Sequence, residues 1–193
     1  MNKKFLETIK IVDGVALHLE YHQERLNKAL KTSNVYELEK LLSPPSNGLY
    51  RCRIVYDLKE IEIEYLRYEK RTITTLKLIF NETLVYDKKY VNRDAINRLV
   101  EKKEKCDDIL IIKNGLVTDT SIANIAFYDG EYWFTPKSAL LEGTCRARLL
   151  KEGKIIATDI KVEDIKNFKK IALMNAMIDF DIIASDNIEE IIC

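Results

Sequence analysis

The stretch ILIIKNGLVTDTSIANIAFYDGEYWFT, residues 109–135, decides the fold class. Two turn dipeptides, Asn114-Gly115 and Asp129-Gly130, divide it into four short runs rich in β-branched and aromatic residues. Asn-Gly and Asp-Gly favour the positive φ values of type I′ turns, whose twist suits the strands on either side. The stretch therefore predicts two successive hairpins, Ile109–Lys113 with Leu116–Thr120 and Asn124–Tyr128 with Glu131–Thr135.

Outward from these hairpins the pattern alternates between helix and strand. Upstream, residues 94–105 carry Ile96, Leu99 and Val100 at helical spacing under a strongly charged outer face, which predicts an amphipathic helix. Before it, residues 50–56, 60–68 and 75–80 read as strands. Residues 21–31 and 36–42 read as two helices, the first on Leu26, Ala29 and Leu30, and the Pro44-Pro45 stretch ends them. Residues 5–19 form a hairpin around Asp13-Gly14. Downstream, Gly143 opens a helix to Lys151, residues 162–168 form a shorter one, and residues 170–174 a strand. The fold class is α/β, with mixed helices and strands. A junction near residues 84–88 divides it into an expected small N-terminal α/β domain, 1–86, and a larger domain, 87–193.

Composition narrows the partners. Among 193 residues, 31 lysines and arginines balance 31 acids, so no long-range positive field draws the chain to nucleic acid or an anionic membrane. The apolar runs are far shorter than the roughly 20 residues of a membrane-spanning helix, and the start lacks an apolar signal core, so a cytoplasmic location is expected. Cys52, Cys106, Cys145 and Cys193 are widely separated, without a Cys-x-x-Cys pair, and reduced thiols are expected. His18 and His22 are four residues apart, yet a metal site needs three or four ligands and no third stands nearby. No metal is expected, and the six scattered glycines form no nucleotide-binding loop.

Lys89 precedes Tyr90-Val91-Asn92-Arg93 at the expected domain junction, where a ligand cleft commonly forms. Read singly, Lys89 suits surface solvation, Arg25 a solvated helix face, Asp119 a turn, and Gly143-Thr144 an ordinary helix cap. Arg51 and Arg53 alternate on one strand and share a face, as a carboxylate clamp or as solvated charges.

Together these segments resemble the fold-type IV pyridoxal 5′-phosphate (PLP) enzymes, the class IV aminotransferases, and among them the aminodeoxychorismate lyases. Residues 89–93 resemble Lys-x-x-Asn-Arg around the lyases' cofactor lysine; residues 117–125, VTDTSIANI, resemble Val-Thr-Glu-x-x-x-x-Asn-Leu/Ile. Gly143-Thr144-Cys145-Arg146 resembles Gly-Ile/Val-Thr-Arg, and Phe5–Lys10 with His22–Leu26 is similar to Phe-Glu-Thr-Ile-Arg and His-x-x-Arg-Leu. Residues 174–177, MNAM, are similar to Cys-Asn-Ala-Leu-Met. The matches keep the family's order along almost the whole chain.

The resemblance implies a two-domain fold with PLP between the domains, in a homodimer. It implies that Lys89 attaches the cofactor and moves the substrate α-proton, Arg25 pairs with the phosphate, and Asp119 faces the pyridine nitrogen. Thr144 and Cys145 stand where backbone amides bind the phosphate, and Asn175 joins Arg51 and Arg53 as a candidate substrate ligand. Three departures stand out: aspartate replaces the usual glutamate at 119, Cys145 replaces a threonine, and the chain begins almost at Phe5, which shortens the small domain. The implied activity is release of pyruvate from aminodeoxychorismate to give 4-aminobenzoate for folate synthesis. The alternatives are an aminotransferase acting on branched-chain or D-amino acids, and a degenerate, non-catalytic relative.

Overall fold

The computed structural model describes residues 3–33, 35–183 and 187–192. The chain divides into two compact units, Met1–Lys70 with Lys88–Asn92, and Arg71–Asp87 with Arg93–Cys193. This differs from a single cut between residues 86 and 87: the run 71–87 contains a strand that pairs with later residues, and 88–92 returns to the first strand.

In the first unit a four-stranded sheet has the order β2-β1-β3-β4, from β1 (Phe5–Val12), β2 (Val15–Ala16), β3 (Leu49–Tyr56) and β4 (Ile61–Arg67). All its pairings are antiparallel, and the expected Asp13-Gly14 hairpin forms. Helix α1 (Leu19–Leu30) covers one face, burying His22, Leu26, Ala29 and Leu30. Because side chains alternate across a strand, Glu7, Ile9 and Ile11 of β1 and Cys52, Ile54 and Tyr56 of β3 meet that helix, all 0–1% exposed. The second expected helix is short, α2 (Leu38–Leu41), with the amide of Leu38 donating to Gln23 Oε1 at 2.8 Å.

In the second unit β5 (Leu76–Phe80), β6 (Asp108–Lys113) and β7 (Leu116–Thr120) form a three-stranded sheet, with β5 parallel and β7 antiparallel to β6. A five-stranded sheet runs β10-β9-β8-β11-β12, from β8 (Asn124–Tyr128), β9 (Trp133–Pro136), β10 (Ile156–Thr158), β11 (Lys170–Asn175) and β12 (Asp179–Ile183). Leu76, Leu110, Ile112, Val117, Ile125, Phe127, Ile171 and Leu173 share one buried core. Helix α3 (Asp94–Val100) ends five residues before the charged pattern does; α4 (Thr144–Lys151) follows Gly143 as expected, and α5 (Ile188–Ile191) lies near the end. The short helix expected at 162–168 forms as a 3₁₀ helix, Val162–Asn167.

The two hairpin turns differ. Asn114 and Gly115 have φ of 52° and 73°, which suits type I′. At the second, Gly130 has a positive φ but Asp129 does not; a four-residue loop forms, in which Asp129 Oδ1 accepts from the amides of Glu131 and Tyr132, each at 2.8 Å. The aspartate side chain thus replaces the type I′ geometry with a side-chain turn.

Cys52 and Cys145 are free and buried. Cys193 lies outside the described residues.

Candidate active site

In the first unit the site begins at an open sheet edge. Strand β2 pairs only with Ile11 and Val12, so the Lys4–Leu6 edge of β1 is left for another segment. Residues 89–91 take it: the amide of Leu6 donates to the Lys89 carbonyl (2.8 Å), the amide of Val91 donates to the Lys4 carbonyl (3.0 Å), and Phe5 bridges Tyr90. Lys89 is half-buried, its backbone fixed one residue from Glu7.

Glu7 points into the core and is 0% exposed. Arg25 grips it bidentately, Nε donating to Oε1 (2.8 Å) and Nη2 to Oε2 (2.6 Å). His22 Nδ1 lies 2.6 Å from Oε2, and because an ionised carboxylate only accepts, that nitrogen carries the proton. Tyr56 is buried next to Glu7, and burial and the Glu7 charge both push its hydroxyl up. Burial pushes the Glu7 carboxyl up, but the Arg25 charge and the His22 and Arg25 hydrogen bonds outweigh it and hold it at about 2. Burial lowers the His22 pKa, against the pull of Glu7 and with that of Arg25 and Lys89, so the imidazole is neutral near pH 7. His18, the other histidine, starts α1 in a left-handed conformation, and among the described residues no group of three or more His, Cys, Asp or Glu could hold a metal.

In the second unit Asp119 sits near the end of β7 at 5% exposure. Asn124 Nδ2 donates to Asp119 Oδ1 (2.7 Å) and to the Leu141 carbonyl (2.9 Å), while the Leu141 amide donates to Asp119 Oδ2 (2.9 Å). Burial raises the Asp119 carboxyl to about 6, only partly opposed by the Leu141 and Asn124 hydrogen bonds and the Arg146 charge. Arg146 donates to the Pro136 carbonyl (2.8 Å).

The same asparagine shapes the start of α4. A Cβ at Gly143 would fall 2.1 Å from Asn124 Oδ1, so only glycine fits without displacing Asn124. The following first-turn amides of Thr144 and Cys145 lack partners within the helix, the usual setting of an anion site. The Cys145 thiol turns elsewhere, to the Asp179 carbonyl (3.3 Å) and carboxylate (3.5 Å), and burial pushes it up to about 12. Arg148 also binds Asp179 and donates to Glu152 (3.1 Å). Cys145 therefore offers an anion its amide rather than its side chain.

The candidate substrate residues have different surroundings. Arg51 and Arg53 share the face of β3 opposite α1 with Lys10, which lies across from Arg51. Arg51 Nε is buried without a hydrogen-bond partner, and Arg53 lies 3.8 Å from Glu64. Asn175 shapes the β11–β12 turn: its Oδ1 accepts from the amides of Met177 (2.9 Å) and Ile178 (3.1 Å), and its Nδ2 donates to the Ile122 carbonyl (3.2 Å).

Sequence reasoning passed over Glu7, His22 and Asn124 as supports of the candidate site. For Glu7 a signal existed: it is a charge in phase with Ile9 and Ile11 on a core-facing row.

Residues 69–185 match the family model described as amino-transferase class IV. A Haemophilus influenzae protein of unassigned function is 39% identical over 180 residues, covering 89% of this chain and 96% of that protein. A solved structure from Haemophilus somnus 129pt, provisionally named 4-amino-4-deoxychorismate lyase, is 38% identical, covers 92% of this chain and 97% of its own, and superposes with a TM-score of 0.85. A hypothetical aminotransferase from Mycobacterium tuberculosis, solved in a PLP-bound form, shares the fold at 14% identity, with a TM-score of 0.75 over 96% of this chain and 82% of its own.

Proposed function

The chain belongs to the class IV aminotransferase family, and from that premise we propose that it is a PLP-dependent enzyme of the aminodeoxychorismate lyase type, releasing pyruvate and 4-aminobenzoate. The observation that carries the lyase reading is the 38% identity, over 92% of the chain, to the Haemophilus somnus protein bearing that provisional name.

The donors present suit the cofactor. PLP requires a lysine amine, a cation with backbone amides for its phosphate, and an acid for its ring nitrogen. In this reading Lys89 supplies the amine and carries the substrate α-proton, while Arg25 and the amides of Thr144 and Cys145 hold the phosphate. Asp119 meets the ring nitrogen. Bound PLP supplies the electron sink for the charge left when the α-proton departs. Asp119, shorter by a methylene than glutamate, is oriented from both oxygens by Leu141 and Asn124, and such two-point support suits a carboxylate that must keep one direction. Arg51 and Arg53 form the substrate-carboxylate face. Asn175 acts through the β11–β12 turn and the Ile122 carbonyl, which shape the surroundings of the substrate. A homodimer in the cytoplasm, serving folate synthesis, completes the reading. Among the described residues no helix is long and apolar enough to cross a membrane.

The test is an absorbance spectrum of the purified protein with added PLP, for wild type and Lys89→Ala, with borohydride trapping and peptide mapping. A band that is lost in the variant and trapped on Lys89 supports the assignment; no band in either protein overturns it. Pyruvate release from aminodeoxychorismate then supports the lyase, whereas conversion of the cofactor to its pyridoxamine form by an amino acid, without pyruvate release from aminodeoxychorismate, replaces it with an aminotransferase.

A further inference from the structure

We propose that Glu7 is a positioning residue for phosphate recognition: with His22 it fixes the guanidinium of Arg25 in one orientation, so that the preference for a phosphorylated cofactor depends on Glu7. The inference rests on the proposed role of Arg25 as a phosphate ligand.

Three observations carry it. Glu7 occupies a position that its row-mates Ile9 and Ile11 fill with apolar side chains, and an isolated carboxylate there would be strongly disfavoured. Stability alone does not call for it, because well-packed apolar residues commonly replace buried ion pairs without loss. Second, the contact is bidentate. It engages Arg25 through Nε and Nη2, two of five donors in one plane, so the carboxylate sets the plane of the guanidinium and directs the remaining donors away from Glu7. Third, exposure is graded across the cluster: the side chains of Glu7 and His22 are 0% and 1% exposed, and that of Arg25 is 15% exposed. Of the three side chains, Arg25 is thus the one with exposed surface, while Glu7 and His22 are buried.

His22 completes the arrangement from α1, one turn before Arg25, so that two residues of the same helix hold one carboxylate on β1. As a neutral donor it fixes Glu7 without competing with Arg25 as a second cation. The remaining charge that acts on His22 is Lys89. With Glu7 removed, the long Arg25 side chain regains its rotamers and has to be ordered by each incoming phosphate.

The experiment compares dissociation constants for PLP and for pyridoxal, which lacks the phosphate, on the full chain, with thermal melting as the check on folding. Glu7→Gln is expected to weaken PLP about tenfold, the scale on which outer partners of a liganding side chain act, and to change pyridoxal less than about twofold. Arg25→Ala should lose the same preference, and Glu7→Gln should add little to it in the double variant. Equal weakening of PLP and pyridoxal, or fully additive losses, would overturn the inference. If Glu7→Gln does not fold, His22→Leu, which removes the other donor to Glu7, takes its place, with an expected phosphate-selective loss of about two- to threefold, and an unselective loss or none overturns the inference. A wild type that binds PLP no better than pyridoxal removes Arg25 as the phosphate ligand and this inference with it. A Glu7→Gln protein that keeps the wild-type preference removes the inference alone.

Discussion

Glu7 in the first unit and Asp119 in the second are both carboxylates buried in β-strands, yet their surroundings drive them in opposite directions. Burial disfavours the charge of each. At Glu7 the bidentate Arg25, backed by the proton on His22 Nδ1, overcomes burial, and the carboxyl is held at about 2. At Asp119 the nearest donors are the neutral Leu141 amide and Asn124 side chain, burial prevails, and the carboxyl rises to about 6. Depth is almost the same, 0% and 5% exposed, so the charge of the partners decides the direction. Glu7 is a permanent anion suited to holding a cation still. Asp119 exchanges its proton within reach of neutral pH, which suits a group that answers a ring nitrogen.

The largest way to break this contrast is truncation. Glu7→Leu leaves His22 and Arg25 around an apolar side chain and is expected to cost about 3 kcal/mol in urea unfolding at pH 7, the low end for a broken buried pair because Arg25 reaches water. Asp119→Leu strands only neutral donors and relieves a disfavoured charge, so its cost should stay below about 1.5 kcal/mol. Equal costs would show that charge does not separate the two sites.

Next in size is the dependence of stability on pH. The folded pKa of Asp119 is raised, so its contribution is fully present below its unfolded value of 3.8 and is lost as pH rises through about 6. The folded pKa of Glu7 is lowered, so its contribution is present above 4.5 and is lost as pH falls through about 2. Each leg is on the order of 2–3 kcal/mol. Unfolding free energies measured from pH 2 to 8 should lose the upper leg in Asp119→Asn and the lower one in Glu7→Gln; profiles parallel to wild type would sink the assignment.

Gly143→Ala sharpens the Asp119 side. Its Cβ forces Asn124 to move, with an expected loss of about 1–3 kcal/mol, and removing the Asn124 donor shifts the Asp119 midpoint upward, as carboxyl NMR titration would register. An unshifted midpoint would show that Asn124 does not tune the acid. The smallest effect belongs to Arg53→Ala, an exposed partner of Glu64, for which thermal unfolding should report less than about 0.5 kcal/mol. If the variant nevertheless raises KM severalfold, Arg53 serves the substrate; an unchanged KM would remove it from the site.

How legible the molecule was depended on how local each cause is. The Asn114-Gly115 hairpin is written in two adjacent residues and forms as its chemistry demands, whereas at Asp129-Gly130 the side chain of Asp129 builds a longer loop. Helix α3 ends at Val100 although the charged pattern runs on, because from Glu101 to Lys105 no apolar residue repeats the core-facing row. Strand β10, only three residues long, carries too little pattern to be read, and β12 follows a turn set by the Asn175 side chain inside an apolar run. Lys89, Arg25, Asp119 and the Gly143-Thr144-Cys145 segment were reached through motif order. Their supports were not, because the Leu141 amide reaches Asp119 across 22 positions and Glu7 meets Arg25 across 18. Distances of that kind are created by the fold and leave no adjacent mark, although Glu7 did betray itself by sitting in an isoleucine row.

The brevity of β2 reaches beyond the geometry of Lys89. A sheet border left with bare amides and carbonyls is a template on which another chain can add a strand, and proteins blunt such borders to avoid self-association. Here residues 89–91 occupy the vacant border of β1 themselves. The segment that delivers the proposed catalytic lysine therefore also guards the sheet against its neighbours, and a change that frees it would be felt in solubility as well as in activity.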